Sequence, residues 1–98
     1  MRLKVQNLES TQTSNPVPNQ FKITLGNKVY FQSYKSMICK IENNKVYLDK
    51  NYWDYSRTTS KYLYSFLYQN TFGIFSAINK KEILKMIDNK EIKLTNLN

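Results

Sequence analysis

Ninety-eight residues carry 15 Lys and Arg against seven Asp and Glu, a formal charge of +8, and include no His and a single Cys. That length makes one domain with one modest core, while the missing His removes the commonest general base and metal ligand. The lone Cys39 excludes an internal disulfide framework and a zinc site of the usual ligand count. What remains favoured is a polyanion binder, since a basic surface gains affinity by releasing counterions from phosphates. A second explanation stays open: 13 Lys and 12 Asn are also the bias that AT-rich coding DNA imposes. No window approaches the roughly 18 apolar residues of a membrane span, and MRLKVQNLES lacks an apolar signal region. These features, with one Cys, lead to the expectation of a cytoplasmic protein with no membrane partner.

In chain order, residues 2–8 alternate Leu3 and Val5 against Arg2, Lys4 and Gln6, the period of a half-buried strand. Residues 10–20 are polar and hold both prolines, so a loop or mobile arm is expected there. A meander of three to five strands follows. Gln20 to Leu25 sets Phe21, Ile23 and Leu25 inward, and Gly26-Asn27 offers a type II′ hairpin turn. Val29 to Gln32 turns Val29 and Phe31 in and Tyr30 and Gln32 out. Met37 to Glu42 groups Met37, Cys39 and Ile41 against Ile38 and Lys40. Asn43-Asn44 is a second tight turn, because Asn tolerates the left-handed region. Lys45 to Asp49 then places Tyr47 opposite Val46 and Leu48.

The stretch YWDYSRTTSKYLYSFLY, residues 52–68, has the clearest helical period, with the only Trp and five of eight Tyr. Asp54 or Ser56 supplies a cap. Tyr55, Thr59, Tyr62, Leu63, Phe66 and Leu67 form an apolar arc, and Arg57, Lys61, Tyr64 and Tyr68 a stripe opposite it. Residues 70–78 are apolar and uncharged, a buried connection, and 72–78 within them could pair two copies as a homodimer. Asn79 and Glu82 have capping-box spacing before a second helix with Ile83, Leu84 and Ile87 inward. Residues 91–97 alternate as a closing strand. The expected architecture is α+β, a small antiparallel sheet with two helices packed on one face.

Nothing in this inventory assembles a reaction: two Gly exclude a glycine-rich phosphate loop, and Cys39 sits at an inward strand position. The acidic residues Asp49 and Asp54 read as ordinary surface ion-pair partners. No catalytic residue, metal site or cofactor is expected. Two surfaces remain. One is the helix stripe of Arg57, Lys61, Tyr64 and Tyr68, where cations reach phosphates and rings stack or fill a pocket; packing of the two Tyr on Phe72 and Phe75 is its alternative. The other is a sheet face of Lys22, Tyr30, Gln32, Lys40 and Tyr47, resembling the aromatic platforms of single-strand-binding sheets; a plain solvated face is the alternative. The stripe converges within a narrow arc while the sheet residues scatter across strands, which favours the stripe and Arg57 within it.

VYFQSYKSMICKI followed by VYLDKNYWDYSRTTSKYLYSFL, with NPVPNQF before them, resembles a family of small phage and prophage proteins, over about residues 15–67. That resemblance implies a phage accessory product acting in the bacterial cytoplasm, and it carries no activity. The partner it implies is nucleic acid, single-stranded DNA or RNA, or a host protein such as a nuclease or defence complex that the chain would inhibit.

Overall fold

A computed structural model describes residues 3–10, 13, 15–71 and 79–98. Of the connection expected at 70–78, Asn70 ends α1 and Thr71 is its C-cap; the rest, the proposed self-association and the packing of Phe72 and Phe75 lie outside those residues. Six strands, β1 (Leu3–Glu9), β2 (Pro16–Leu25), β3 (Lys28–Ser33), β4 (Ser36–Glu42), β5 (Lys45–Asp49) and β6 (Ile92–Thr95), form one sheet in sequence order. Between β5 and β6 come the helices α1 (Arg57–Asn70) and α2 (Lys80–Asp88). The fold is α+β, with one strand more than the three to five expected. It is also not wholly antiparallel: β1 to β5 are an antiparallel meander, and β6 lies parallel to β5. A parallel neighbour needs a long crossover, and the chain spends both helices on it.

The polar segment at 10–20 is shorter than its prolines implied, because β2 begins at Pro16. Pro16 is the first residue of the strand and pairs with Glu9 of β1 across a register shift. Pairing with β3 starts only at Gln20, so Pro18 falls where β2 has a single neighbour and its missing N–H interrupts no second ladder. Asn7 Nδ2 donates to Val17 O at 3.0 Å and pins this extension to β1.

Turn length sets which residues share a face. Gly26 has φ 62°, and the two-residue turn makes Leu25 and Lys28 the closing pair. Every β2 residue of odd number then opposes a β3 residue of even number, and directly opposed side chains share a face. Phe21, Ile23 and Leu25 therefore stand beside Gln32, Tyr30 and Lys28, and not with Val29 and Phe31 as the alternation alone implied. A second correction concerns β4. A bulge between Phe31 and Gln32 moves the pairing from Phe31–Cys39 to Gln32–Met37, so Ile38 is fully buried and Met37 only half-buried.

The core gathers Leu8, Phe31, Cys39, Ile41, Val46, Leu48 and Ile92 from the strands with Trp53, Leu63, Phe66, Leu67 and Ile83. Helix α1 meets the Phe31 side of the sheet: the Phe66 ring stacks on Phe31 with centroids 5.6 Å apart, and the buried hydroxyls of Ser33 and Thr59 are 3.0 Å apart. Ser56 caps α1, its Oγ accepting from Thr59 N–H at 3.1 Å. The apolar arc is as expected except for Tyr55, which precedes the helix and is 49% exposed. Asn79 caps α2 by accepting from Glu82 N–H at 2.9 Å. Within α2, Leu84 turns outward while Ile83 is buried and Met86 and Ile87 are half-buried.

Asp49 is not a surface ion-pair partner. Its side chain is buried and accepts from Asn51 and Tyr52 N–H at 3.0 Å and from Leu97 N–H at 2.8 Å. Burial by itself would push this carboxyl up, but the Leu97 N–H, the Asn98 side chain and the Asn51 and Tyr52 N–H groups together hold it below the usual carboxylate range. It ties the end of β5 to the segment after β6. Cys39 is fully buried, and burial pushes its thiol well above the ordinary value, so it behaves as a core side chain.

Candidate nucleic-acid interface

The face of the sheet turned away from Phe31 is ordered by its pairing. Val5 opposes Ile23, Ile23 opposes Tyr30, Tyr30 opposes Lys40, Lys40 opposes Tyr47, and Tyr47 opposes Lys93. One side chain from each of six strands thus stands in a single cross-strand row. At about 4.8 Å between strands, it spans roughly 24 Å, with the two Tyr roughly 10 Å apart. Far from being scattered, Tyr30, Lys40 and Tyr47 are consecutive members of this row. Gln32 stands on the same face, one row away.

Lys22 is not part of that face. It opposes Phe31 on one side and Gln6 on the other, half-buried on the α1 side of the sheet. The two-residue turn after Leu25 puts it there, by the same odd-to-even pairing that turns Ile23 outward.

Inside the row, Lys40 does two things. Its Nζ lies 4.6 Å from the Tyr47 ring centroid and 3.5 Å from Glu42 Oε1. A cation over a ring and beside a carboxylate restrains both the lysine and the phenol. The Tyr47 ring is therefore held in place by Lys40. Tyr47 also lines a cavity of about 260 Å³ with Lys45, Val46, Lys90, Glu91 and Lys93. Lys45 is reached through the Asn43-Asn44 turn, where φ is 52° and 63°. The sequence reading missed Lys45, Lys90 and Lys93 as site residues. Lys93 could have been found from the alternation of 91–97, had the neighbour of that strand been knowable.

On α1 the stripe forms only in part. Arg57, Lys61 and Tyr68 are exposed, whereas Tyr64 is half-buried and packs against the core. The Lys61 Nζ sits 5.5 Å from the Tyr62 ring centroid. Arg57 and Tyr64 line a polar groove of about 460 Å³ with Asp54, Ser56, Ser60 and Lys80. Lys80 Nζ is 2.7 Å from Asp54 Oδ2, and that hydrogen bond and charge hold the Lys80 ammonium above its ordinary range. The acid in this groove thus engages one of its two cations, leaving a nearly balanced surface; an exposed pair of this kind adds little to stability.

Fold and site together define a small α+β protein with a lysine- and tyrosine-bearing sheet face. The chain belongs to DUF8033, a family of unknown function, whose profile matches residues 3–85. The FQSY and WDYSRTTSKY segments fall inside that span, and β6 with Lys90 and Lys93 falls outside it. No curated protein and no solved structure matches the chain. Among the described residues no helix is long and apolar enough to cross a membrane.

Proposed function

We propose that this chain is a non-catalytic module that binds single-stranded nucleic acid, DNA or RNA, across the outer face of its sheet. The observation that carries the reading is the row Tyr30–Lys40–Tyr47–Lys93, in which phenol rings and ammonium groups alternate on neighbouring strands. Exposed bases stack on rings whatever their identity, and the ammonium groups meet the phosphates between them. With α1 packed on the Phe31 side, the strand would lie across the opposite face, perpendicular to the β-strands. The +8 charge supplies the long-range attraction that brings a polyanion to this face. A phage accessory role in the bacterial cytoplasm accords with such a module.

Fluorescence anisotropy with a labelled oligonucleotide, read across a salt series, tests the reading. Affinity for the single strand should exceed that for a matched duplex and should fall steeply with salt. Tyr30→Ala with Tyr47→Ala should abolish the preference for the single strand. No binding at low ionic strength, or equal binding of strand and duplex by the wild type, would end it.

A second reading has one observation of its own. Leu3 and Val5 are 60% and 56% exposed on the outer face, next to Leu25 and Ile23, an apolar patch suited to a protein partner. Inhibition of a host nuclease or defence complex would use that patch. A pull-down from bacterial lysate repeated after nuclease treatment separates the two: a stoichiometric protein that survives the nuclease favours inhibition.

A further inference from the structure

Beside Tyr47 the end of α2 is built in an unusual way. Lys90 has φ 65°, and its N–H donates to Ile87 O at 3.1 Å while Glu91 N–H donates to Met86 O at 2.8 Å. This is the Schellman closure of a helix, whose left-handed position normally goes to glycine because any Cβ is strained there. Here that position is filled by a lysine, and the lysine lines the cavity at Tyr47 with Lys45 and Lys93. The three cations come from three different parts of the fold, the start of β5, the residue after the C-cap of α2, and β6. One acidic residue, Glu91, lines the cavity with them. A space of about 260 Å³ is smaller than the roughly 300–1,000 Å³ typical of whole-ligand pockets, so it suits one phosphodiester group beside a stacked base.

We infer that the cavity lined by Lys45, Tyr47, Lys90 and Lys93 is a phosphate subsite that anchors a single strand at the β5–β6 end of the row, the adjoining base lying on Tyr47. The inference rests on the reading above and adds a location and a ligand group to it. Affinity then comes unevenly from the protein's lysines: those of the cavity hold a phosphate, and those on the outer side of α2 contribute only diffuse charge. The strain at Lys90 has a use on this account, since glycine would relieve the backbone and lose the ammonium.

The test compares Lys45→Ala with Lys90→Gly against Lys81→Ala with Lys85→Ala, two exposed α2 lysines, so that both variants lose the same charge. Each is titrated with a labelled oligodeoxythymidylate of roughly 12 nucleotides, within the usual site-size range, and its fold is checked by circular dichroism. The cavity variant should bind roughly ten- to a hundredfold more weakly, with a log–log salt slope less steep by about 0.7, the value for one phosphate contact on a single strand. The α2 variant should lose only a few-fold. Equal losses in the two variants would overturn the subsite while leaving the nucleic-acid reading intact. A wild type that binds no strand at all would remove both. Lys93→Gln, a single change on β6 that keeps the backbone pairing, repeats the comparison should the double variant fail to fold: unchanged affinity overturns the subsite, and a several-fold loss supports it.

Discussion

The two faces of the sheet are made from the same strands, yet they carry opposite kinds of chemistry. On one, Phe31 stacks on Phe66, and Ile41, Val46 and Leu48 bury in the core. On the other, one residue along each strand, Tyr30, Lys40 and Tyr47 stand half-buried in a row with the exposed Lys93. Packing defines the first face. Polar and aromatic side chains that no core requires define the second. From β3 to β6 the outer face carries Tyr and Lys in an unbroken row, whereas the helix stripe is interrupted where Tyr64 turns toward the core.

The contrast breaks most visibly on the packed face. Phe66→Ala removes the ring stacked on Phe31 and should cost about 3–5 kcal/mol, read as a fall in the urea midpoint. Tyr30→Ala on the other face should shift that midpoint far less. A smaller loss is expected from Asp49→Asn, about 1.5–3 kcal/mol, because hydrogen bonds to a charged group are being weakened. The pH dependence follows from the lowered carboxyl. Its contribution is fully present above the unfolded value of about 3.9 and is lost as pH falls through the lower folded value. Urea midpoints measured from neutral pH into acid should therefore slope less steeply for the variant than for the wild type.

On the outer face the effects should move from stability to binding. Tyr30→Ala and Tyr47→Ala should each weaken single-strand affinity by roughly 1–3 kcal/mol, measured by anisotropy, with Tyr47 the costlier because Lys40 holds its ring. Lys90→Gly should raise thermal stability by about 1 kcal/mol through relief of the left-handed backbone. Arg57→Ala with Lys61→Ala should move stability by less than about 0.5 kcal/mol. If that pair instead weakens binding more than the two Tyr variants, the site belongs to α1 and the comparison is reversed.

Much of this fold was readable in the chain, and the failures have specific causes. The α1 arc, its Ser56 cap and the Asn79 cap of α2 follow from spacing and side-chain chemistry alone. The turns at Gly26-Asn27 and Asn43-Asn44 were also legible. Hydrophobicity nevertheless misplaced β2, because Phe21, Ile23 and Leu25 alternate like a core strand. The two-residue turn already contained the answer, since it obliges Leu25 and Lys28 to share a face, and with them Ile23 and Tyr30. Other features had no local signal. The bulge in β4 and the parallel pairing of β6 depend on how distant segments meet. Lys93 joined the row, and Lys90 the cavity, only through that pairing and a helix cap that sequence would assign to glycine.

Whether a single strand lies on the sheet face is read residue by residue in a titration followed by two-dimensional NMR. Isotope-labelled protein is titrated with a single-stranded oligonucleotide while backbone amide and tyrosine ring shifts are tracked. The largest changes are expected at Tyr30, Lys40, Tyr47 and Lys93, with Arg57, Lys61 and Tyr68 nearly unmoved. Largest changes along α1, or none at any of these residues at low salt, would contradict binding on the sheet face.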